Sequence, residues 1–293
     1  MTLLLGYGFL GRLLFKNLNQ KYPVKVLSNN ISDNPDKQFY LRDFNTIDAS
    51  DSSFDGVEQI IHTIHTTVPA TSMLDLRGDI ANNIFPTINL LNIMQQRNIK
   101  KLIYISSGGA VYGNPKKQTI DESHPTDPLS GYGISKLAIE KYIQLYHKKS
   151  GIEYIILRPS NLFGPNQNLY KPQGIVGHLL NALNNMEEID IWGNGEGKKD
   201  YLHVYDLVNA ISLCLNHFDS VKNEAYNVAS GFHYSVNEII DVIEAAYNRE
   251  IQKQYTQPRA FDVQNVLLDG TKLKQKLPFR PETTIEEFIK KDH

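Results

Sequence analysis

The chain has 293 residues, 41% of them apolar and 21% charged, with a net charge of −2 at neutral pH. That balance describes a globular protein of one large or two modest domains and gives no footing for nucleic acid or an anionic membrane, so a phosphate ligand must be gripped locally. The single cysteine, Cys214, excludes an internal disulfide and a cysteine-based zinc site.

In chain order, TLLLG is a short apolar run ending in glycine, and a helix is predicted over 9–19. VKVLSN (24–29) and EQIIHTIH (58–65) read as strands, ANNIFPTINLLNIMQQRN (81–98) as a helix, and KLIYISS (101–107) as a strand. A helix begins near Tyr132, and IEYIILRPS (152–160) is a further strand. Strands alternating with helices imply right-handed crossovers and a parallel sheet. The expected fold is therefore α/β, a Rossmann-type doubly wound parallel sheet over 1–165. Beyond GPNQN the pattern loosens. HLLNALNNM and VNEIIDVIEAAYN look helical, DIWGNGEGKKD is turn-rich with Trp192 anchoring a loop, and Cys214 sits on a buried helix. Residues 166–293 are expected to form a smaller mixed α/β lobe, some segments returning to the first sheet. No apolar run reaches the ~18 residues of a membrane span, and no signal peptide is read, so a cytoplasmic location is expected.

The chemistry starts at GYGFLG, a Gly-x-Gly-x-x-Gly directly after a strand and opening a helix. Gly6 permits the turn, Gly8 lets a pyrophosphate approach the backbone, and Gly11 allows close helix–strand packing. The helix N-terminus offers N–H groups to phosphates. The second strand ends in VLSNNIS, without the acid that usually binds an adenosine ribose. Ser28 and Asn29 leave room for a 2′-phosphate, and Arg12 is either its cationic partner or a solvated helix residue; NAD and NADP both stay open. Tyr132 and Lys136 stand at i and i+4, hence on one helix face, where an ammonium favours ionisation of a phenol of pKa about 10. Alone, that pair is equally a surface accident.

The glycine loop, ISSGGAVYG, Tyr132-x-x-x-Lys136, LRPSNLFGP and RAFD, in that order, resemble the extended short-chain dehydrogenase/reductase family, most of all its UDP-glucose 4-epimerase-type nucleotide-sugar enzymes. The resemblance implies that Tyr132 is the acid/base and Lys136 its pKa-lowering partner, bonded also to the nicotinamide ribose. It implies a cofactor set of the glycine loop with Phe9 and Leu10, Ser28, Asn29, Asp43 and Phe44 at the adenine, His62, Thr63, Asn83, Ser106 and Pro159. The substrate set is Ser107, Gly108, Tyr132, Asn161, Lys199, Arg259 and Asp262, with a nucleoside-diphosphate sugar as partner. No metal site is expected: His62 and His65 read as structural histidines, without a cysteine or acid cluster near them. Asp43 is otherwise a turn residue, and Asn83 a backbone bridge.

The departures matter too. Leu5 replaces a frequent first glycine, and Lys199 replaces an arginine, keeping the charge but losing the two-pronged geometry. Gly108 falls where an active-site Ser or Thr is usual, so Ser107 replaces it, or the register shifts, or a water fills in. Gly109 and Ala110 stand where dehydratases of this family carry an Asp-Glu pair, which argues against elimination. Three functions follow. The first is a nucleoside-diphosphate-hexose 4-epimerase of the UDP-glucose or UDP-GlcNAc type. The second is an NADPH-dependent 4-keto-6-deoxyhexose reductase, for instance dTDP-linked, serving surface polysaccharide. The third is a catalytically weak NAD(P)-binding scaffold. Helices 81–98 and that of Tyr132 are the candidates for pairing two chains in a homodimer.

Overall fold

A computed structural model of the chain describes residues 1–31, 37–165, 167, 174–259, 261–263 and 265–292. Ala260 of the RAFD motif and residue 166, where the second lobe is expected to start, lie outside the described residues.

The strands in chain order are β1 (Thr2–Leu5), β2 (Val24–Ser28), β3 (Phe39–Leu41), β4 (Gln59–His62), β5 (Lys101–Ile105), β6 (Glu153–Pro159), β7 (Asn161–Phe163), β8 (Ile189–Trp192), β9 (Lys199–His203), β10 (Glu224–Val228), β11 (His233–Tyr234) and β12 (Lys253–Thr256). Seven form one sheet in the order β10-β6-β5-β4-β1-β2-β3. Every pairing in it is parallel. Parallel strands need helical crossovers, which cover both faces, so these strands are apolar on both sides. Leu4, Ile61, Ile103, Ile155 and Leu157 pack under the helices Phe9–Leu18 and Val204–Asn216. Leu3, Leu5, Ile60, Leu102, Tyr104 and Ile156 pack under Phe85–Gln96 and Gly131–Ser150. Cys214 is fully buried in the first layer. The fold is the expected α/β doubly wound sheet.

Two smaller sheets, β11-β9-β7 and β12-β8, accompany the helices Ile175–Asn185, Val236–Tyr247 and Ile285–Asp292 around a separate apolar cluster of Phe163, Leu179, Ile191, Tyr201, Ile239 and Ile243. The DIW of the turn-rich segment is thus the end of a strand. Strand order reverses between β1 and β4, the place where a doubly wound sheet opens a crevice at the carboxyl ends of its strands.

Candidate active site

A cleft of about 1660 Å³ opens at that switch point and runs from the glycine loop across to Arg259. β1 delivers the chain to Gly6, whose N–H donates to Leu27 O at 2.9 Å. The Phe9–Leu18 helix then starts with no side-chain cap, and Gly8, Phe9 and Leu10 line the cleft. Its first-turn N–H groups are therefore available to an anion. A Cβ on Gly11 would stand 2.1 Å from Gly6 O, so only glycine lets the helix close on the strand. Opposite, Thr63 donates twice to Leu5 O, from N–H at 3.0 Å and Oγ1 at 2.7 Å.

Ser28, Asn29, Asp43 and Phe44 line the far end. Asp43 accepts from the Asn45 N–H and side-chain amide, both at 2.9 Å, an Asx turn that leaves its second oxygen toward solvent. Arg12 is exposed, donates from Nε to Tyr7 O at 3.3 Å and lies over the Tyr7 ring. It is not part of the cleft lining, which favours the surface reading of Arg12.

At the middle of the cleft stand Ser107, Tyr132 and Lys136, with Ser106 and Pro159. Ser130 caps the Tyr132 helix by accepting from the Gly133 N–H at 3.2 Å. The Ser107 side chain stands beside the Tyr132 phenol. Burial pushes the Tyr132 phenol up to about 12, against which Ser107 works downward. Burial also brings Lys136 down to about 7, with Glu140 and Asp79 pulling it back up. Its Nζ donates to Ile105 O at 2.7 Å and stands 5.7 Å from the Tyr132 ring centre. In the protein alone, then, burial sets the direction of the phenol's shift, and Lys136 is not among the groups that lower it.

Behind these groups lies a closed polar network. Arg158 grips Glu140 with two nitrogens, at 3.0 and 2.6 Å. Glu140 accepts from Ser106 Oγ at 2.5 Å, and Arg158 reaches Tyr112 OH at 2.8 Å. Every charge here is buried and multiply bonded, the condition under which a buried pair holds. It joins the ends of β5 and β6 to the Tyr132 helix and so fixes the Ser107–Tyr132 spacing.

Three further expected residues stand off the cleft lining. Gly108 is buried, and a Cβ there would meet Leu268 Cδ1 at 2.3 Å and Arg158 O at 3.0 Å. A side chain has no space at that position, so Gly108 brings no hydroxyl, and Ser107 is the hydroxyl beside Tyr132. His62 is buried, Nε2 at 3.0 Å from Thr87 Oγ1, and burial takes it down to about 3. Asn83 is buried too: its Oδ1 accepts from the Thr66 N–H at 2.8 Å and its Nδ2 donates to Asp79 O at 2.8 Å. Both histidine and asparagine support the cleft wall from behind.

The second lobe supplies Lys199, Arg259 and Asp262, with Asn161 at the seam. Arg259 binds Asp262 with two nitrogens at 2.9 and 2.8 Å, and its guanidinium lies 3.6 Å over the Trp192 ring. Asp262 draws the Lys199 ammonium up, but burial outweighs it and Lys199 is lowered. Asn161 Nδ2 donates to Asp200 O at 3.1 Å, which ties β7 to β9. Two cations around one acid at a cleft mouth suit a diphosphate. Sequence reasoning missed Trp192 and His65 as cleft residues. Each had a signal: the only tryptophan beside a glycine-rich turn, and a histidine just beyond a strand end at the switch point.

Residues 3–229 match the model of the NAD dependent epimerase/dehydratase family. A Methanocaldococcus jannaschii protein described as "Putative UDP-glucose 4-epimerase" is 33% identical over 98% of this chain and 94% of its own. The dTDP-4-dehydro-6-deoxyglucose reductase of Escherichia coli is 27% identical over 98% of this chain and 94% of its own. Among solved structures, the UDP-glucose 4-epimerase of Thermotoga maritima, in a crystal structure with UDP-glucose, is 29% identical and superposes with a TM-score of 0.90 over 99% of this chain and 96% of that one.

Proposed function

The chain belongs to the NAD dependent epimerase/dehydratase family, and from that premise we propose that it is a nucleoside-diphosphate-hexose 4-epimerase, UDP-linked and using NAD. One observation carries the proposal. The adjacent Ser107 and Tyr132, with Lys136, stand midway along a single cleft between an uncapped helix N-terminus and the Lys199–Arg259–Asp262 cluster. A dinucleotide on one side and a sugar diphosphate on the other would meet at that pair. We assign 1–165 to cofactor binding and 166–293 to the nucleotide sugar, with the 204–216 helix and β10 returning to the first sheet.

The fit to a dinucleotide rests on the free helix terminus, on the glycine-only approach at Gly11 and on Asp43 at the adenine end. A nicotinamide held there would supply reversible hydride transfer at hexose C4. Tyr132 holds the O4 proton while the 4-keto sugar exists and gives it back afterwards. Ser107 holds the same sugar oxygen and eases the ionisation of Tyr132. Lys136 stands on the phenol's side of the cleft, where ligand charge would favour its ammonium, and is placed to meet a ribose hydroxyl. Lys199 and Arg259 hold the diphosphate, with Asp262 orienting the guanidinium. Gly109 and Ala110 bring no acid or base, which fits epimerisation better than elimination.

The reductase reading has a specific support of its own: Ser28 and Asn29 carry no charge to repel a 2′-phosphate. The two readings separate on the purified protein. An epimerase restores its cofactor in every turnover and has no need to release it. Denaturation should therefore free NAD at close to one per chain. Empty protein that prefers NADPH to NADH would transfer the assignment to a 4-keto-6-deoxyhexose reductase.

A further inference from the structure

His65 follows β4 by three residues, just past the switch point, and lines the cleft. Its side chain is 6% exposed, and its ring meets the Tyr132 ring edge-on, centroids 4.7 Å apart at 84°. On its other side, Nε2 lies 3.8 Å from Asp79 Oδ1. Asp79 is itself 1% exposed and does not line the cleft. It accepts hydrogen bonds from Thr67 and from Ser135, the residue before Lys136, and from the Asn83 amide at 3.2 Å. The carboxylate thus ties together the β4 loop, the helix behind it and the catalytic helix, and His65 fills the space between that anchor and the phenol.

A phenol that must give and take one proton along a fixed line needs its ring held about both torsions. Ser107 bears only on the hydroxyl. The aromatic contact from the side is what limits rotation of the ring, and an edge-on pair resists sliding because ring edge and ring face carry opposite partial charge. Resting on the proposed reaction, we infer that His65 is a positioning residue for Tyr132: packed between Asp79 and the phenol, its imidazole braces the phenol ring in the orientation that proton transfer to and from the sugar oxygen requires.

Three variants test this: His65→Ala, His65→Phe and His65→Gln. His65→Ala should lower kcat by about tenfold or more, the scale of a misplaced reacting group, while KM, cofactor affinity and melting temperature stay near wild type. His65→Phe should recover part of kcat, because it restores a ring edge, and His65→Gln should not. A second readout needs no turnover. In protein labelled with 3-fluorotyrosine, the Tyr132 signal, identified by its loss in Tyr132→Phe, should be single in the parent and split or broadened in His65→Ala. Parent protein that converts no nucleotide sugar, yet shows that splitting in His65→Ala, would remove the functional reading and leave the brace. A wild-type kcat in His65→Ala, or an unsplit signal, would overturn the brace, as would a loss appearing only in KM or in melting temperature.

Discussion

At the residue scale, the site sets a cost against a use. Tyr132 is pushed up to about 12 and Lys136 down to about 7 because both are buried. Each is thereby held in its neutral form more strongly than in water, and ligand charge must complete the activation. Tyr132→Phe should reduce turnover by about a thousandfold or more while nucleotide binding, read from Trp192 fluorescence, is retained. Ser107→Ala should cost about ten- to a hundredfold in kcat, since the Ser107 hydroxyl is the one beside the phenol and favours its ionisation; unchanged kcat would remove Ser107 from the reaction. Lys136 gives a prediction of the opposite kind. Its folded pKa is depressed, so its contribution to stability is complete only above the unfolded value near 10.4 and is lost as pH falls towards about 7. Lys136→Met should therefore raise the melting temperature at pH 7 while abolishing turnover. The orphaned Ile105 carbonyl offsets part of that gain. The Tyr132–Lys136 spacing was legible in the sequence because helical periodicity alone puts i and i+4 together. The direction of the Tyr132 shift was not, because it depends on burial, which spacing does not encode.

At the scale of elements, the long apolar strands were legible and the short ones were not. β3 has three residues and β10, EAYNV, alternates weakly; each is a strand because a parallel neighbour accepts it, β2 and β6 respectively. The strand read over 58–65 stops at His62. Its partner β1 ends there, with Leu5 opposite His62, and Gly6 turns away. That early stop turns His65 from a strand residue into a cleft residue. The helix read from 81 begins at Leu76, and the backbone passes through a π turn over Ile80–Ile84 where Phe85 N–H bonds Ile80 O. This wider turn precedes Pro86, which has no N–H to give. The layer between this helix and the sheet holds His62, and His203 lies buried between Phe163 and Phe288 in the second lobe. Burial lowers the two to about 3 and about 4. As pH falls below about 6.5 the unfolded chain takes up their protons first, so stability is complete above that pH and drains towards pH 4. His203→Leu should flatten the fall in melting temperature between pH 7 and pH 4.5; an unchanged slope would show that carboxylates alone set it.

At the scale of the whole molecule, one face carries apolar side chains without cover in a single chain. Leu74 is 86% exposed and Phe85 63%, and Leu76, Ile134 and Leu145 are each more than half exposed. All lie on or beside the 76–96 and Gly131–Ser150 helices, the pair expected to join two chains. A patch of this kind on paired helices fits a self-complementary twofold contact. Light scattering should give twice the 33.3 kDa chain mass, and Phe85→Asp with Leu145→Asp should halve it. Because the catalytic helix would then be an interface helix, the double variant should also lose activity. The cleft spans both lobes, and the account stands on what happens at its centre: C4 is oxidised and re-reduced within one turnover, with Tyr132 carrying the proton. UDP-glucose deuterated at C4, incubated with the purified protein and no added nucleotide, tests this most directly. The account predicts a mixture of UDP-glucose and UDP-galactose, both retaining deuterium at C4. Absence of the second epimer, or its formation with deuterium lost to solvent, would contradict it.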